Sequence, residues 1–290
     1  MKANVFLVAR LNFPYVGSSI QQTMTTRFMT AMFLIWMALT GYAQPPTGKQ
    51  IVLSVLANFP QKDSLSQARL TIPSESGDDR TLDVQIQTSN TPDAISTVIV
   101  VTGPTNFEGN AVLTVFRKDG AHQVFRKTPD AKDSQLLKGD ALRGSFAGTD
   151  FSYEDFDFGF LRWPEHKLIG EKRRQARDCY VIESTPGEGQ SAQYGKVVSW
   201  IDKEGLLLML AEGYGADGKM VKVFDIRSLK QFEGGWFIKT MNLKNVAANR
   251  QTKLEVTQFE YATNLDERYF SPETFGRVAA FKFPQGSKTF

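Results

Sequence analysis

The sequence has few of the residues that most often carry metal or nucleophile chemistry. Its 290 residues include one cysteine, Cys179, and two histidines, His122 and His166. A single cysteine excludes an internal disulfide, and neither histidine belongs to an HExxH or other metal-spaced motif. Gly-x-Ser-x-Gly, Walker and dinucleotide-binding motifs are also missing. These absences argue against the common classes of enzyme, and we expect neither a cofactor nor a metal site.

An excess of charge of one sign is missing once the N-terminal segment is set aside. The chain has 34 Lys and Arg against 31 Asp and Glu, which gives a formal net charge of +3. The first 43 residues hold three of these bases and no acid, so the remainder has 34 − 3 = 31 bases against 31 acids. A balanced surface offers no basic footprint for a phosphate backbone, and we therefore expect no nucleic-acid partner.

The N-terminal segment has an apolar run that is too short for a membrane span. The run covers only twelve residues, 28–39, whereas a helix that crosses a bilayer needs about 20. Arg27 precedes it and small residues ending at Ala43 follow, which is the order typical of a secretory signal peptide. We predict a cleavable signal peptide over residues 1–43, with Met24 as the expected start of translation. An uncleaved anchor is the alternative.

The rest of the sequence alternates in the manner of antiparallel strands. Runs of alternating apolar and polar residues follow one another at hairpin spacing, separated by turns such as Lys118-Asp119-Gly120. About eleven strands can be counted, with three short helical pieces, namely residues 51–59, one turn after Ser152 and one after Ser271. We predict one all-β domain with short helices over residues 44–290. A single sheet of this size must form a sandwich, be plugged by helices or enclose a cavity.

Several apolar side chains suit the lining of such a cavity. They belong to the aromatic stretch around residue 153, the Leu206 to Leu210 run and two strands that contain tryptophan. An apolar concave lining with few polar groups is typical of a lipid or acyl-chain pocket, while ordinary core packing is the alternative for each residue. The predicted ligand-binding residues are Phe151, Tyr153, Phe156, Trp200, Leu208, Met209, Trp236 and Met241.

Two clusters of charged residues can each be interpreted in two ways. Four acids of the aromatic stretch could form a cation site, but roles as helix caps and solvated acids explain them better. These acids are Asp150, Glu154, Asp155 and Asp157. Four bases form a predicted hairpin tip, which is either solvated or in contact with anionic lipid headgroups or a membrane partner. These bases are Lys172, Arg173, Arg174 and Arg177.

The stretch Gly148-Thr149-Asp150-Phe151-Ser152-Tyr153-Glu154-Asp155-Phe156 resembles the signature of a known family. That signature, Gly-Ser-Asp-Phe-Ser-Tyr-Glu-Asp-Leu, belongs to the outer-membrane lipoprotein-sorting proteins, a LolA-like group. Thr149 replaces a serine and Phe156 a leucine. Further similar segments lie at 104–113, 179–186 and 266–275, so the likeness covers roughly residues 50 to 280. The segment from Lys127 to Gly139 departs from the family because it lacks aromatic residues.

The resemblance implies an unclosed antiparallel β-barrel with a helical lid, the LolA/LolB-like half-barrel. It implies a monomeric, non-enzymatic periplasmic carrier that binds the acyl chains of lipoproteins or other lipids and transfers them towards the outer membrane. An inner-membrane transporter would be its partner. Two other functions stay open, a lipid-sensing regulatory or partner-binding module of the same fold, and a hydrolase with a scattered active site.

Overall fold

The computed structural model of the chain describes residues 45–74, 77–190, 192–262, 264–276, 283 and 289–290. The predicted signal peptide over residues 1–43 lies outside this range. In the part that is described, no helix is both long enough and apolar enough to cross a bilayer.

One antiparallel sheet accounts for most of the described residues. Each of its thirteen strands is hydrogen-bonded to the strands beside it. The strands are β1 Ser64–Ile72, β2 Arg80–Asn90, β3 Ala94–Gly103, β4 Ala111–Arg117, β5 His122–Lys127, β6 Gln135–Leu137, β7 Glu165–Arg174, β8 Arg177–Thr185, β9 Lys196–Asp202, β10 Leu208–Tyr214, β11 Met220–Phe232, β12 Gly235–Asn245 and β13 Arg250–Tyr261. The helical elements are α1 Gly48–Asn58 and three 3₁₀ helices, Gly139–Arg143, Gly159–Arg162 and Glu267–Phe270.

The strand order explains why the sheet is open. It runs β6-β5-β4-β3-β2-β1-β13-β12-β11-β10-β9-β8-β7, so β1 pairs with β13 in the middle and the two ends are β6 and β7. The chain must therefore pass from one edge of the sheet to the other between β6 and β7. We call residues 138–164, which make this connection, the crossing segment. An unclosed antiparallel sheet confirms the predicted fold class.

The strand count differs slightly from the predicted value of about eleven. The additional strands include β6, which lies in the segment from Lys127 to Gly139 that lacks aromatic residues. Its three residues pair with β5 through Val124 and Leu137, Phe125 and Leu136, and Arg126 and Gln135. A strand of only three residues has too little alternation to be recognised from sequence.

One of the three predicted helical pieces is a helix. Thr47 and Gln50 form a capping box at the start of α1, and Gly48 allows close packing there, because a Cβ would lie 2.5 Å from the carbonyl oxygen of His166. The helical turn predicted after Ser152 is wrong, because residues 153–158 form non-helical turns. The Ser152 hydroxyl donates to Gln193 instead of capping a helix. The piece predicted after Ser271 is a turn closed by Phe275 N donating to Ser271 O at 2.9 Å.

The sheet carries two hydrophobic cores, one on each face. The larger core lies on the concave face, under α1 and the crossing segment, and includes Val55, Leu70 and Phe151. A smaller core on the opposite face of β3 and β4 contains Val98 and Leu113. Strand alternation separates the two, because successive side chains point to opposite faces.

Candidate functional site

Buried Asp150 fixes the crossing segment to the middle of the sheet. Its carboxylate accepts two hydrogen bonds from Arg250, at 3.0 and 2.9 Å, and one from the Thr252 hydroxyl at 2.9 Å. The backbone amide of Asp150 donates to the same hydroxyl at 2.9 Å. A fully buried carboxylate is stable only when it is paired and hydrogen-bonded in this way. Asp150 therefore anchors the segment to β13.

Asp155 forms a second anchor, with a side chain that is 0% exposed. Its carboxylate accepts hydrogen bonds from Ser152 N at 2.6 Å, Gln193 Nε2 at 2.5 Å and the Tyr194 hydroxyl at 2.6 Å. Lys222 of β11 forms an ion pair with it. Burial, together with the charge of Asp155, raises the pKa of Tyr194 well above its usual value. In the described part of the chain, no three His, Cys, Asp or Glu side chains are placed to hold a metal ion.

Aromatic rings fill the space between these two anchors. Phe151 stacks on Phe156 with ring centroids 4.8 Å apart, and Phe146 meets Phe156 edge-on at 5.1 Å. Tyr153 contacts Phe146 edge-on at 6.2 Å. The signature therefore combines buried carboxylates that bind the sheet with rings that pack beneath it.

A cavity of about 390 Å³ lies beside this aromatic cluster. The end of α1, the crossing segment, the concave faces of β1 to β4 and those of β12 and β13 enclose it. The β12 and β13 wall is apolar and consists of Phe237, Ile238, Met241, Leu254, Val256 and Phe259. The β1 to β4 wall adds polar groups, which are Ser64, Ser66, Thr88, Asn90, Thr97 and Thr114.

A charged cluster lies at one side of this cavity. His122 Nε2 and Asp157 Oδ2 are 2.7 Å apart, and the other oxygen of Asp157 accepts from Gly159 N at 2.9 Å. Arg162 Nη1 donates to the backbone oxygen of Asp157 at 3.1 Å, and its guanidinium lies 5.0 Å from the centre of the Phe116 ring. Both Asp157 and Arg162 line the cavity.

The ionisation of this cluster follows from burial and from the ion pair. Burial by itself would lower the pKa of His122, but the charge and hydrogen bond of Asp157 raise it above its usual value. Burial would raise the pKa of Asp157, but His122 outweighs that effect and lowers it. Burial raises the pKa of Glu154 to about 7, and burial lowers the pKa of Arg162.

The other half of the concave face has side chains in place of a cavity. Phe224 of β11 is fully buried and meets three rings, those of Phe158 at 5.8 Å, Phe160 at 5.9 Å and Tyr194 at 6.4 Å. Trp163 closes the cluster against Phe160 at 6.5 Å. Rings of the crossing segment therefore pack over this part of the sheet.

Three of the eight predicted ligand-binding residues lie at the cavity. Phe151, Phe156 and Met241 line the cavity. The remaining five, Tyr153, Trp200, Leu208, Met209 and Trp236, are not among its lining residues. Leu208 belongs to the concave core, and Trp200 lies under the ammonium group of Lys172, 4.9 Å from its ring centre.

The sequence analysis missed most of the cavity wall. Alternation could have found part of it, because Phe237 precedes Met241 by four residues on the same strand and so faces the same side. Leu254 and Val256 on β13 share a face for the same reason. Arg162 gave a weaker signal, as a lone base in the apolar stretch from Phe158 to Trp163.

Three of the four bases at the β7 to β8 hairpin are held by an ion pair or an aromatic ring within the protein, and Arg173 donates to the Ala176 carbonyl at 3.5 Å. Arg174 pairs with Asp225 at 2.5 Å, and Arg177 pairs with the buried Asp202 at 3.1 Å. Lys172 lies over Trp200. These contacts hold the hairpin against its neighbours and reduce the charge available to an outside anion.

Comparison with known proteins places the chain in a family and identifies its fold. A family model described as an uncharacterized protein matches residues 94–277, which is more than half of the chain. A DUF1329 family protein from Desulfovibrio piger has 22% identity and a TM-score of 0.71, with 77% of this chain and 95% of that chain covered. A putative outer membrane lipoprotein-sorting protein domain from Vibrio parahaemolyticus has 21% identity and a TM-score of 0.72, with 79% and 98% covered.

A LolA superfamily protein from Nitrosomonas europaea is also similar, with 16% identity, a TM-score of 0.63, and 78% of this chain and 98% of that chain covered. No curated protein matches the sequence at a significant level. These findings confirm the predicted resemblance and the half-barrel fold. The chain belongs to the family of uncharacterized proteins whose model covers residues 94–277, and it has the LolA-like fold.

Proposed function

We propose that the protein is a periplasmic carrier that shelters acyl chains of lipoproteins or other lipids on their way to the outer membrane. The observation that supports this proposal best is the cavity of about 390 Å³ on the concave face of the open sheet. Its size lies within the range of about 300–1,000 Å³ that is usual for small-molecule sites. Its lining is largely apolar, as a hydrocarbon ligand requires.

The energetics favour a hydrocarbon guest. Each methylene that leaves water contributes about 0.8 kcal/mol, so ten buried methylenes contribute about 8 kcal/mol. The walls are already in place, because Asp150 and Asp155 fix the crossing segment to β13 and β11. A preformed site loses less free energy to ordering when the ligand binds.

A lipid-sensing or partner-binding module of the same fold is the second candidate, and the edge of the sheet supports it. Strand β7 has β8 as its only neighbour among the described strands. Its Ile169 is 47% exposed, and Leu53 of α1, the helix packed against β7, is 56% exposed. An edge strand with exposed apolar side chains is a template for another chain. In a carrier, this edge would serve the proposed inner-membrane transporter.

A transfer assay tests the carrier function. Delipidated protein is mixed with donor vesicles that contain a fluorescent acyl lipid and with acceptor vesicles that contain none. We expect the protein to bind the lipid and to accelerate its transfer in proportion to protein concentration. Binding without transfer would favour the sensing module, and the absence of both would contradict the proposed function.

The export step has a separate test. N-terminal sequencing of protein recovered from the periplasmic fraction should begin at Gln44, directly after the predicted cleavage site at Ala43. Recovery of the protein from the cytoplasm with its N-terminus intact would contradict export.

A further inference from the structure

Arg162 is the sole base among the described residues that line the cavity. It is the last residue of the 3₁₀ helix Gly159–Arg162, which belongs to the crossing segment. Its position is held from two sides, by the hydrogen bond from Nη1 to the Asp157 backbone oxygen and by the Phe116 ring under the guanidinium. The cation is therefore fixed at the cavity wall.

This cation has no direct counter-ion. Among the described residues, no carboxylate oxygen lies within 4.0 Å of an Arg162 nitrogen. The ion pairs in this part of the chain all involve other bases. Asp157, the acid whose charge acts on Arg162, directs its two carboxylate oxygens to His122 and Gly159. Buried charges in proteins are normally paired, and an unpaired one is costly.

Most of the hydrogen-bonding capacity of Arg162 is also unused by the described residues. A guanidinium has five N–H donors, and the contact with the Asp157 backbone uses one nitrogen, Nη1. The planar fork of arginine matches the oxygens of a carboxylate or a phosphate. The other acid on the cavity lining, Asp155, is already occupied by Lys222, Tyr194 and Gln193.

The adjoining wall is suited to the polar end of a ligand. Thr114 lies two residues before Phe116 on β4, so both side chains face the cavity, and Thr97 is its partner on β3. Across the cavity, β12 and β13 present only apolar side chains. The cavity therefore has a polar region beside Arg162 and a hydrocarbon region opposite.

We propose that the cavity binds a single-chain or phospholipid-like amphiphile with an anionic headgroup, and that Arg162 receives the headgroup while the acyl chain lies along β12 and β13. This inference rests on the proposed lipid-binding function and narrows its ligand class. The shared chemistry is an anionic oxygen group at the end of an acyl chain, and its source is a fatty-acid carboxylate or a lipid phosphate.

Three ligands of equal chain length test the proposal on the wild-type protein. Dodecanoate, dodecyl phosphate and dodecanol compete with a neutral fluorescent acyl probe, and their dissociation constants are measured at pH 7.5. We expect at least one of the two anions to bind about ten- to a hundred-fold more tightly than the alcohol, the usual gain from a charge-assisted hydrogen bond. The tighter anion identifies the headgroup source.

Two variants assign the effect to the guanidinium. Arg162→Gln should remove the preference for the anion, whereas Arg162→Lys should keep part of it. Arg143→Gln is the matched control, because Arg143 is 56% exposed and pairs with Asp140 away from the cavity lining. Thermal unfolding checks that each variant is folded, and the wild-type comparison needs no variant.

The outcomes separate the two proposals. Equal binding of dodecanol and both anions to the wild-type protein would overturn the anionic headgroup and leave the carrier function intact. Failure of all three ligands to displace the probe, or failure of the probe itself to bind, would contradict the carrier function.

Discussion

The two halves of the concave face share one sheet but are packed differently. Over β8 to β11, Phe224 is surrounded by the rings of Phe158, Phe160 and Tyr194, and the space is filled. Over β1 to β4 and β12 to β13, a cavity of about 390 Å³ remains. We call these regions the filled half and the hollow half.

The difference originates in the crossing segment. Its anchors at Asp150 and Asp155 hold it to β13 and β11. Beyond them, Phe160 packs against Phe224 in the filled half. Phe151 and Phe156 line the cavity of the hollow half, and Phe158 borders both regions. The crossing segment therefore packs against the sheet in the filled half and covers the cavity in the hollow half.

Truncating the central ring of the filled half should have the largest effect on folding. We expect Phe224→Ala to lower the free energy of unfolding by about 3–5 kcal/mol, the usual cost of Phe→Ala in a core. Chemical denaturation measures the loss. Phe156→Ala is the matched control, because Phe156 is only partly buried and borders the cavity. An equal loss for both variants would mean that the two halves are packed alike.

Two methionine substitutions compare the cavity wall with a buried position outside it. Met241→Trp places a larger side chain in the cavity, and we expect acyl-probe affinity to fall at least about tenfold, or about 1.4 kcal/mol, with a smaller effect on stability. Met209→Trp makes the same change at a buried position of β10, outside the cavity lining. There we expect a stability loss of about 1–3 kcal/mol from overpacking and unchanged binding by the folded protein. The reverse pattern would contradict ligand binding in the hollow half.

The fold could be predicted from sequence because it depends on local patterns. Alternating strands, glycine turns such as the one at Gly120, and the helical spacing of apolar residues over 51–59 all act over a few residues. The open sheet was implied by the resemblance of residues 148–156 to a known signature, since the number of strands alone left a sandwich, a plugged sheet and a cavity as alternatives. The turn after Ser152 differed from prediction because Asp155 and Ser152 bind the distant residue Gln193.

The location of the cavity could not be predicted in the same way. Leu208 occurs in a continuous apolar run and Met241 in an alternating strand, and their sequence neighbourhoods give no sign of what faces them. Their surroundings are set by the path of the crossing segment, a non-local property that depends on Asp150 reaching Arg250 and Thr252. Sequence analysis therefore identified apolar residues that could line a cavity, but it did not determine which half of the sheet contains the cavity.

The free energy of unfolding should depend on pH through Glu154, which lies in the crossing segment. Its carboxylate accepts a hydrogen bond from Gln193 N at 3.0 Å, and burial raises its pKa to about 7 from 4.5. The folded state then keeps a proton that the unfolded state has lost, so stability falls as pH rises from about 4.5 to 7. Between pH 5 and 6.5, Glu154 should account for a loss of about 1–2 kcal/mol.

Glu154→Gln tests this effect because it removes the titration and keeps the shape. The difference in unfolding free energy between wild type and variant should fall between pH 5 and 6.5 and level off above pH 7. The raised pKa of His122 adds a loss of stability as pH rises through that pKa, above 6.5. Asp157, which both proteins keep, is the main cause that raises this pKa, but the charge of Glu154 also contributes, so the two proteins are compared between pH 5 and 6.5. A difference that stays constant with pH would contradict the raised pKa of Glu154.

The smallest effect is expected at the β7 to β8 hairpin, on the outer edge of the filled half. The ammonium of Lys172 lies over the Trp200 ring, and a cation–π contact at an exposed site contributes about 0.5–1 kcal/mol. Lys172→Gln should therefore lower the free energy of unfolding by about 0.5 kcal/mol and leave acyl-probe affinity unchanged. Arg173→Gln is the control, since Arg173 is exposed and forms no ion pair with the described residues.

The same two variants decide what the hairpin bases do. If they contact anionic headgroups, each neutralised base should weaken flotation with anionic vesicles by about 1 kcal/mol, roughly fivefold. We expect no such loss, because the pairing of Arg174 and Arg177 with Asp225 and Asp202 leaves too few unpaired bases at the hairpin for a polybasic contact with a membrane. A fivefold loss for Arg173→Gln without a change in stability would show that the filled half meets a membrane through this edge. The hollow half would then bind the ligand, and the filled half would bind the membrane that supplies it.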